Sequence, residues 1–533
     1  MGTTGLWDVV APAVKVENLR ALVLRGFKVN RDHTYRMGID ASIWLEGLQR
    51  TAGLNISVNT GQNAVLQAFF WRLTHLLSLP LAVLFVFDGP DRPSIKRGKQ
   101  VQGTPHWMEN GAKSLIEGFG FQHTTALGEA EAELAVLNMD GMLDVVVTDD
   151  ADALVFGAVN IMRTWNEKRD KGNVSLYQAE EIQSKVHGAM TRDGLILYAL
   201  LAGGDYHNGV ENCGKATALT AVKYGLGASL HAAILAPDIQ IALEAWRERL
   251  REVLALDPDG IAGSRRPTAA ANINSTFPSP EVLSAYATPL CSPQARSPTS
   301  EPSLTLPDLP RITRLCEELF EWATPGTTPP KISEHVWPGV ILRMILADII
   351  ETDSLLAPAS SHIAPVIPPV LRKRDTRGIT EFKAVFPTAS LSQEALGTDM
   401  LEVWIPSVVF ETWIAGCMSP RLLRAPPPAV SLPSSPSPSY LRQLSVSSET
   451  DSLFSCDHNT STVFGQNVTT PPPPYERRDP NAIIDLTGST PPPVPTTVHT
   501  PLVSSAVIDL TGPPSPISVP RELVGVVIDL TDD

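Results

Sequence analysis

Three apolar runs that each end in aspartate constrain this chain more than any other feature. RMGID (36–40), LAVLFVFDG (81–89) and LDVVVTDD (143–150) have the look of buried strands, and AVLQAFFWRLTHLLSL (64–79) and EAEAELAVLNMDG (129–141) between them carry helical periodicity, closed by Pro80 and Gly141. Strands that alternate with amphipathic helices predict an α/β fold with a mostly parallel sheet. In such a sheet the carboxyl ends of the strands share one edge, where functional crevices form. Asp40, Asp88, Asp149 and Asp150 are therefore expected along that edge.

One strand-terminal Asp is an ordinary turn residue or helix N-cap. Three in succession, joined by Glu129 and Glu131, call for cations, because like charges gathered at one edge repel each other. Hard divalent ions take oxygen ligands, and a pair of them can stabilise the attacking water and the leaving oxygen of phosphodiester cleavage. The pattern fits two Mg²⁺ ions, with Mn²⁺ as a substitute. For Glu129, Glu131 and Glu133 the alternative is that they complement the positive end of a helix dipole.

Five widely spaced cysteines form no CxxC pair and no zinc-ligand spacing, which favours a reducing, intracellular setting. No apolar run is long enough to span a membrane, so a protein with no membrane partner is expected. The net charge of −15 is uneven: residues 1–100 hold 12 Lys/Arg against 7 Asp/Glu, whereas residues 425–533 hold 4 Arg, no Lys and 11 acids. The acidic total thus does not exclude a polyanionic partner for the amino-terminal part.

Along the chain, residues 1–256 are expected to form the core, and 257–310, rich in Ser, Thr and Pro, a disordered insertion. Residues 311–356 continue as helices of the core. Residues 363–418 hold β-like pieces, TEFKAVF and LEVWIPSVVF, compatible with a small β-rich module, and 424–533 form a disordered tail.

The ordered set MGTTGLW, FVFDGPDRPSIKR (85–97), GEAEAELAVL, VVVTDDADALVFG (145–157) and ALLAGGDYHNGVENCGKATAL (199–219) resembles the XPG and flap endonuclease superfamily of structure-specific nucleases over roughly residues 1–225. The resemblance implies a PIN-like nuclease core with a helix-two-turn-helix element. It places the metal-binding acids on Asp40, Asp88, Glu129, Glu131, Asp150, Asp152 and Asp205, with none missing, and puts at Asp149 an acid that is not a principal ligand. Lys96, Arg97 and Lys99 resemble the family's basic helix that grips the scissile phosphate, with the first two counted among the catalytic residues. Gly2 would lie near the DNA junction. Gly209, Gly214 and Lys215 fall in the helix-two-turn-helix element, which binds duplex phosphates and, in the family, a K⁺ ion; Asn212 stands there in place of a usual glycine.

Only 41 positions separate Asp88 from Glu129, fewer than flap endonucleases use to enclose a 5' flap. With the AGGDY spelling and a β-rich piece after the core, this resembles the fungal Holliday junction resolvases of the superfamily, whose module is chromodomain-like. That branch implies nuclear branched-DNA cleavage in recombination and repair by a protein that is monomeric when free and dimeric on the junction. A 5' flap endonuclease and a catalytically inactive SUMO-docking scaffold are the alternatives.

In the tail, AIIDLTG, AVIDLTG and VVIDLTD resemble SUMO-interacting motifs, with Ile483, Ile484, Leu486, Val507, Ile508, Leu510, Val527, Ile528 and Leu530 as the apolar contacts. A β-branched run of this kind can add as a strand to a sheet edge, and tandem copies raise avidity for SUMO or sumoylated proteins. Ser279, Thr288, Ser292, Ser297, Ser435, Ser437 and Ser515, each followed by Pro, are candidate proline-directed phosphorylation sites.

Overall fold

The structure, a computed structural model, describes residues 2–30, 33–54, 63–93, 95–96, 99–100, 108–165, 167–261, 263–292, 301–320, 322, 331–353, 368–387 and 400–418. The SUMO-type segments and Arg97 lie outside the described residues, as does the expected tail.

A seven-stranded sheet organises the core. Its strands are β1 (Lys15–Asn18), β2 (Tyr35–Asp40), β3 (Leu81–Phe87), β6 (Gln122–Thr125), β7 (Val145–Val147), β8 (Asn160–Met162) and β9 (Asn173–Gln178). A separate two-residue ladder pairs β4 (Ile95–Lys96) with β5 (Lys99–Gln100). The spatial order is β1-β9-β8-β7-β2-β3-β6. From β8 to β6 every neighbouring pair is parallel, while β9 and β1 add antiparallel at one edge.

Strand β3 shows why the sheet has two covered faces. All seven of its residues are buried; Leu81, Val83, Phe85 and Phe87 enter one core, and Leu84 and Val86 the other. Period-two alternation sends successive side chains to opposite faces, so an unbroken apolar run requires helices on both sides. Each such side chain contributes about 1.5–3 kcal/mol by leaving water. On one face the helix Ala130–Met139 packs against β2, β3 and β7. Gly38 permits the close approach, since a Cβ there would stand 2.4 Å from Leu143 and 2.6 Å from Leu134.

The described residues between 257 and 310 correct the expectation of disorder for that part of the chain. They hold the helices Pro267–Ala271 and Pro280–Ala287, and Leu309–Phe320 begins within them. Tertiary contacts supply the order that local periodicity lacks: Ala269, Ala270, Ile273 and Tyr286 are buried, Arg247 Nε donates to Phe277 O at 2.6 Å, and Arg251 Nε donates to Ile273 O at 3.0 Å. The helix Trp337–Asp353 then packs on the core.

The β-rich piece is an antiparallel sheet, β10 (Val370–Thr376), β11 (Ile379–Pro387) and β12 (Met400–Pro406), backed by the helix Ser407–Met418. The β-like reading of LEVWIPSVVF holds only to Pro406. Beyond it, Val409, Phe410 and Trp413 are buried at helical spacing. Trp413 Nε1 donates to Asp348 Oδ2 at 3.1 Å, and the fully buried Glu381 is held by Arg20 at 2.7 Å and by Arg374 at 2.8 Å, which ties this piece to the core.

Candidate active site

Because β7, β2 and β3 are parallel neighbours about 4.8 Å apart, their carboxyl ends deliver acids side by side. Asp40 closes β2, Asp88 follows β3, and Asp150 and Asp152 lie just beyond β7. The helix Ala130–Met139, drawn onto the sheet, adds Glu129 at its N-cap and Glu131 in its first turn. Asp205 arrives from the turn after the helix Arg192–Ala202, which ends at Gly203.

Each acid is oriented by named donors. Asp40 accepts from the Ile43 amide and the Thr148 hydroxyl, both at 3.1 Å, so it caps a helix and faces the cluster at once. The same Thr148 hydroxyl accepts from the Asp150 amide at 3.1 Å. Asp88 takes the Ala130 amide at 3.1 Å and Arg92 at 2.9 Å. Asp152 accepts from the amide and hydroxyl of Thr3 at 2.5 and 2.6 Å. Tyr206 donates its hydroxyl to Glu129 Oε2.

Lys96 sits at the centre. Its ammonium is paired with Glu129 and lies 3.5 Å from Glu131 and 3.4 Å from Asp205. Burial opposes that charge, but Glu131, Glu129 and Asp205 together hold the lysine protonated well above its ordinary range. Around it the carboxylates crowd each other. Burial, then Asp88, raises Asp40 well above the usual carboxylate value, and burial does the same to Glu131, with Glu129, Asp150 and Asp88 adding to it. Asp150 is pushed up to about 6 by burial and Asp205, and Asp152 to about 8 by burial, Asp150 and Asp205.

All seven expected acids therefore meet at one edge. Among the described residues no three of them close into a ready-made coordination shell, and the Lys96 ammonium is the cation they surround. An all-oxygen donor set with charge in excess of one ammonium fits hard divalent ions. The helix-dipole alternative does not describe Glu129, whose side chain makes no capping bond and goes instead to Lys96 and Tyr206. Glu133 does lie in the first turn of that helix, as the alternative expects, and its Oε2 also accepts from the Ser292 amide at 2.8 Å. Asp149 points elsewhere, to Arg163 at 3.0 Å and to Thr164.

The basic segment after Asp88 differs from the expected helix. Lys96 belongs to β4 and Lys99 to β5, a short hairpin. Pro90 and Pro93 precede it, removing two backbone donors and biasing the residues before them away from helix. Gly2 lies against the acids: its φ is +77°, and a Cβ there would stand 2.0 Å from Asp150 Oδ1.

The helix-two-turn-helix element spans Arg192–Ala202 and Lys215–Lys223. Gly209 has φ +78° and packs against the backbone of residues 201–203. Asn212 has φ +61°, a left-handed conformation that asparagine tolerates better than most residues and that accounts for a glycine being the usual choice. Gly214 caps the second helix, and the exposed Lys215 at its start pairs with Asp8 at 2.8 Å.

Sequence reasoning missed Tyr206 and Tyr286. The rings meet at 4.8 Å, and Tyr286 lies buried beside Thr3, Asp152 and Asp205. The available signal was Ser279-Pro280, an N-cap followed by Pro at the first helical position, which marks a helix inside a stretch otherwise read as filler.

Residues 1–106 match the XPG N-terminal domain and residues 120–205 the XPG I-region. The rice (Oryza sativa subsp. japonica) single-strand DNA endonuclease 1 is 27% identical over 411 residues, covering 70% of this chain and 59% of that protein. The human (Homo sapiens) flap endonuclease GEN homolog 1 is 28% identical over 250 residues, covering 43% of this chain and 26% of its relative. The match thus spans about three fifths of the rice protein's length and a quarter of the human one's. Among solved structures, the Holliday junction-resolving enzyme GEN1 with product DNA and Mg²⁺ superimposes with a TM-score of 0.61 at 25% identity, covering 77% of this chain and 96% of that one. A eukaryotic GEN-1 binding caesium gives 0.63 at 26%, covering 78% and 97%. With these two XPG regions, this fold and the acid-lined sheet edge, residues 1–205 carry both halves of the XPG nuclease domain, and the chain is similar to the structure-specific nucleases of the XPG and flap endonuclease superfamily.

Proposed function

We propose that this chain is a divalent-metal-dependent endonuclease that cuts branched DNA, and that its preferred substrate is the four-way junction. The observation that carries the reading is the meeting of seven carboxylates from five separate segments around Lys96 at the carboxyl edge of the sheet. Mg²⁺ ions held by Asp40, Asp88, Glu129, Glu131, Asp150, Asp152 and Asp205 would supply Lewis acidity and an activated water for phosphodiester hydrolysis. Lys96 then exchanges carboxylate partners for a phosphate oxygen and stabilises charge where the reaction develops it. Thr148, Thr3 and Tyr206 hold Asp40, Asp152 and Glu129 in fixed orientations, which limits reorganisation during reaction.

The short span from Asp88 to Glu129 supports an open cleft that admits strands without free ends, and the likeness to GEN1 bound to product DNA agrees with it. Dimerisation on the junction would give one active site per cut strand. A K⁺ ion at the Gly203–Gly214 turn is supported by a GEN-1 structure described as binding potassium. Lys215 and the two helix ends would bind duplex phosphates without reading sequence. The tail motifs support binding of SUMO chains, and the whole set of features suits a nuclear repair protein.

Incubation of the purified chain in Mg²⁺ with an intact junction and with a 5' flap tests this. Paired nicks in the junction are expected, abolished by Glu129→Ala with Glu131→Ala. Robust flap cutting beside intact junctions would favour the flap endonuclease reading, which the name of the human relative supports.

A further inference from the structure

The segment from Ser279 to Ser292 crosses the acid cluster and is anchored at both ends. Its helix Pro280–Ala287 starts at Ser279, whose Oγ accepts from the Val282 amide at 3.4 Å. Arg192 Nη2 donates to the carbonyls of Tyr286 and Ala287 at 3.4 and 2.8 Å. Farther on, the Leu290 carbonyl rests on Gly128, where a Cβ would come within 2.7 Å of it, and the Ser292 amide binds Glu133. The chain is thereby strapped over the start of the helix that carries Glu129 and Glu131.

Tyr286 is the one side chain this strap sends fully into the site. Its ring packs on Tyr206 at 4.8 Å and on Phe156 at 6.0 Å. Its hydroxyl is buried beside the Thr3 hydroxyl, with the Asp152, Asp205 and Asp150 carboxylates around it. Gly204 leaves the space it fills. A buried hydroxyl is rarely left without a partner, and acids that bind metal ions are steadied by donors behind them. Thr148, Thr3 and Tyr206 serve that purpose for Asp40, Asp152 and Glu129; the Tyr286 hydroxyl is a further donor, facing Asp152 and Asp205.

We propose that Tyr286 is a positioning residue for the metal-binding acids: its hydroxyl supports the Asp152–Asp205 side of the cluster in the ion-loaded enzyme, and its ring holds Tyr206 on Glu129. This rests on the reading of the acids as a metal-dependent nuclease site. The strap, by composition a linker, is then a working wall of that site.

The test uses the full chain with Tyr286→Phe, which removes only the hydroxyl, and Arg192→Gln, which removes the guanidinium that anchors the strap's carbonyls. Calorimetric Ca²⁺ titration reports ion binding without turnover, and single-turnover junction cleavage over a Mg²⁺ series reports chemistry. For Tyr286→Phe, Ca²⁺ affinity and cleavage at limiting Mg²⁺ should each fall about tenfold, the size seen when outer partners of metal ligands are removed. Excess Mg²⁺ should recover most of the rate, and the junction Kd should not move. Arg192→Gln should shift Ca²⁺ affinity in the same direction. Wild-type Ca²⁺ affinity in Tyr286→Phe overturns the proposal, and so does a fall in thermal stability with ion binding unchanged. A wild-type chain that neither binds Ca²⁺ nor cuts overturns the nuclease reading and this inference with it.

Discussion

A Cβ built on Gly204 would lie 2.2 Å from the hydroxyl oxygen of Tyr286, so the space one residue leaves empty is the seat of the other. Gly204→Ala should therefore cost about 1–3 kcal/mol through overpacking. Combining it with Tyr286→Phe should return most of that loss, because the nearest ring carbon would be 3.5 Å away. Denaturant unfolding of both single variants and the pair measures the coupling. Additive losses would show that the two residues do not share this space.

Stability of the ion-free protein should fall as pH rises. Asp152 is raised to about 8 and Asp150 to about 6, chiefly by burial, so between the ordinary carboxylate range and these values the native state holds protons that the unfolded chain has released. The stabilisation is present at the acid end of that window and is lost as pH climbs through it. In chelator, Tm should be lower at pH 8 than at pH 6, and saturating Mg²⁺ should close much of the gap. Asp152→Asn should flatten the dependence, and a Tm in chelator that ignores pH over this window would refute the account.

Lys96 occupies the position that cations would compete for. Replacing it with Met leaves Glu129, Glu131 and Asp205 without their shared ammonium. Ca²⁺ affinity should rise by calorimetry while single-turnover cleavage falls by about a hundredfold, the scale of losing one preorganised charge donor. Weaker Ca²⁺ binding would instead mean that Lys96 organises the acids rather than standing in for an ion.

The strand module is held by a buried charge. Glu381 is fully buried between Arg20 and Arg374, and removing one member of such a set costs about 3–5 kcal/mol. Glu381→Ala should lower Tm accordingly and open residues 370–417 to protease first. Uniform proteolysis across the chain would argue against a separately anchored module.

Duplex binding should be sequence-blind and salt-sensitive. Lys215→Ala should weaken junction binding alike for unrelated arm sequences and reduce the slope of log Kd against log salt by about one. Fluorescence anisotropy over a salt series measures it; an unchanged slope would place Lys215 off the DNA.

The strand ends were legible in the sequence because burial on both faces writes itself as unbroken apolar runs, and a parallel sheet sends every terminal Asp to the same edge. Glu129 and Glu131 were legible as further acids at the start of a helix beside those strand ends, and Asp205 only through the ordered motifs. What escaped were features set by distant partners. Tyr286 is ordered by Gly204, Tyr206 and Arg192, none of them near it in sequence. The turn of the chain into helix at Ser407 was hidden because apolar residues suit strand and helix alike over so short a stretch. Lys96 in its hairpin is met by carboxylates supplied from two distant places, the start of the helix Ala130–Met139 and the turn after Arg192–Ala202.

Residues 257–310 invite removal, since their composition is that of a spacer. A shortened protein lacking them would keep every carboxylate and most of the sheet, yet it would shed Tyr286, the peptide that rests on Gly128 and the amide that holds Glu133. Such a deletion would strip one wall from the acid cluster, so a protein shortened there is expected to lose ion binding even though its carboxylates remain.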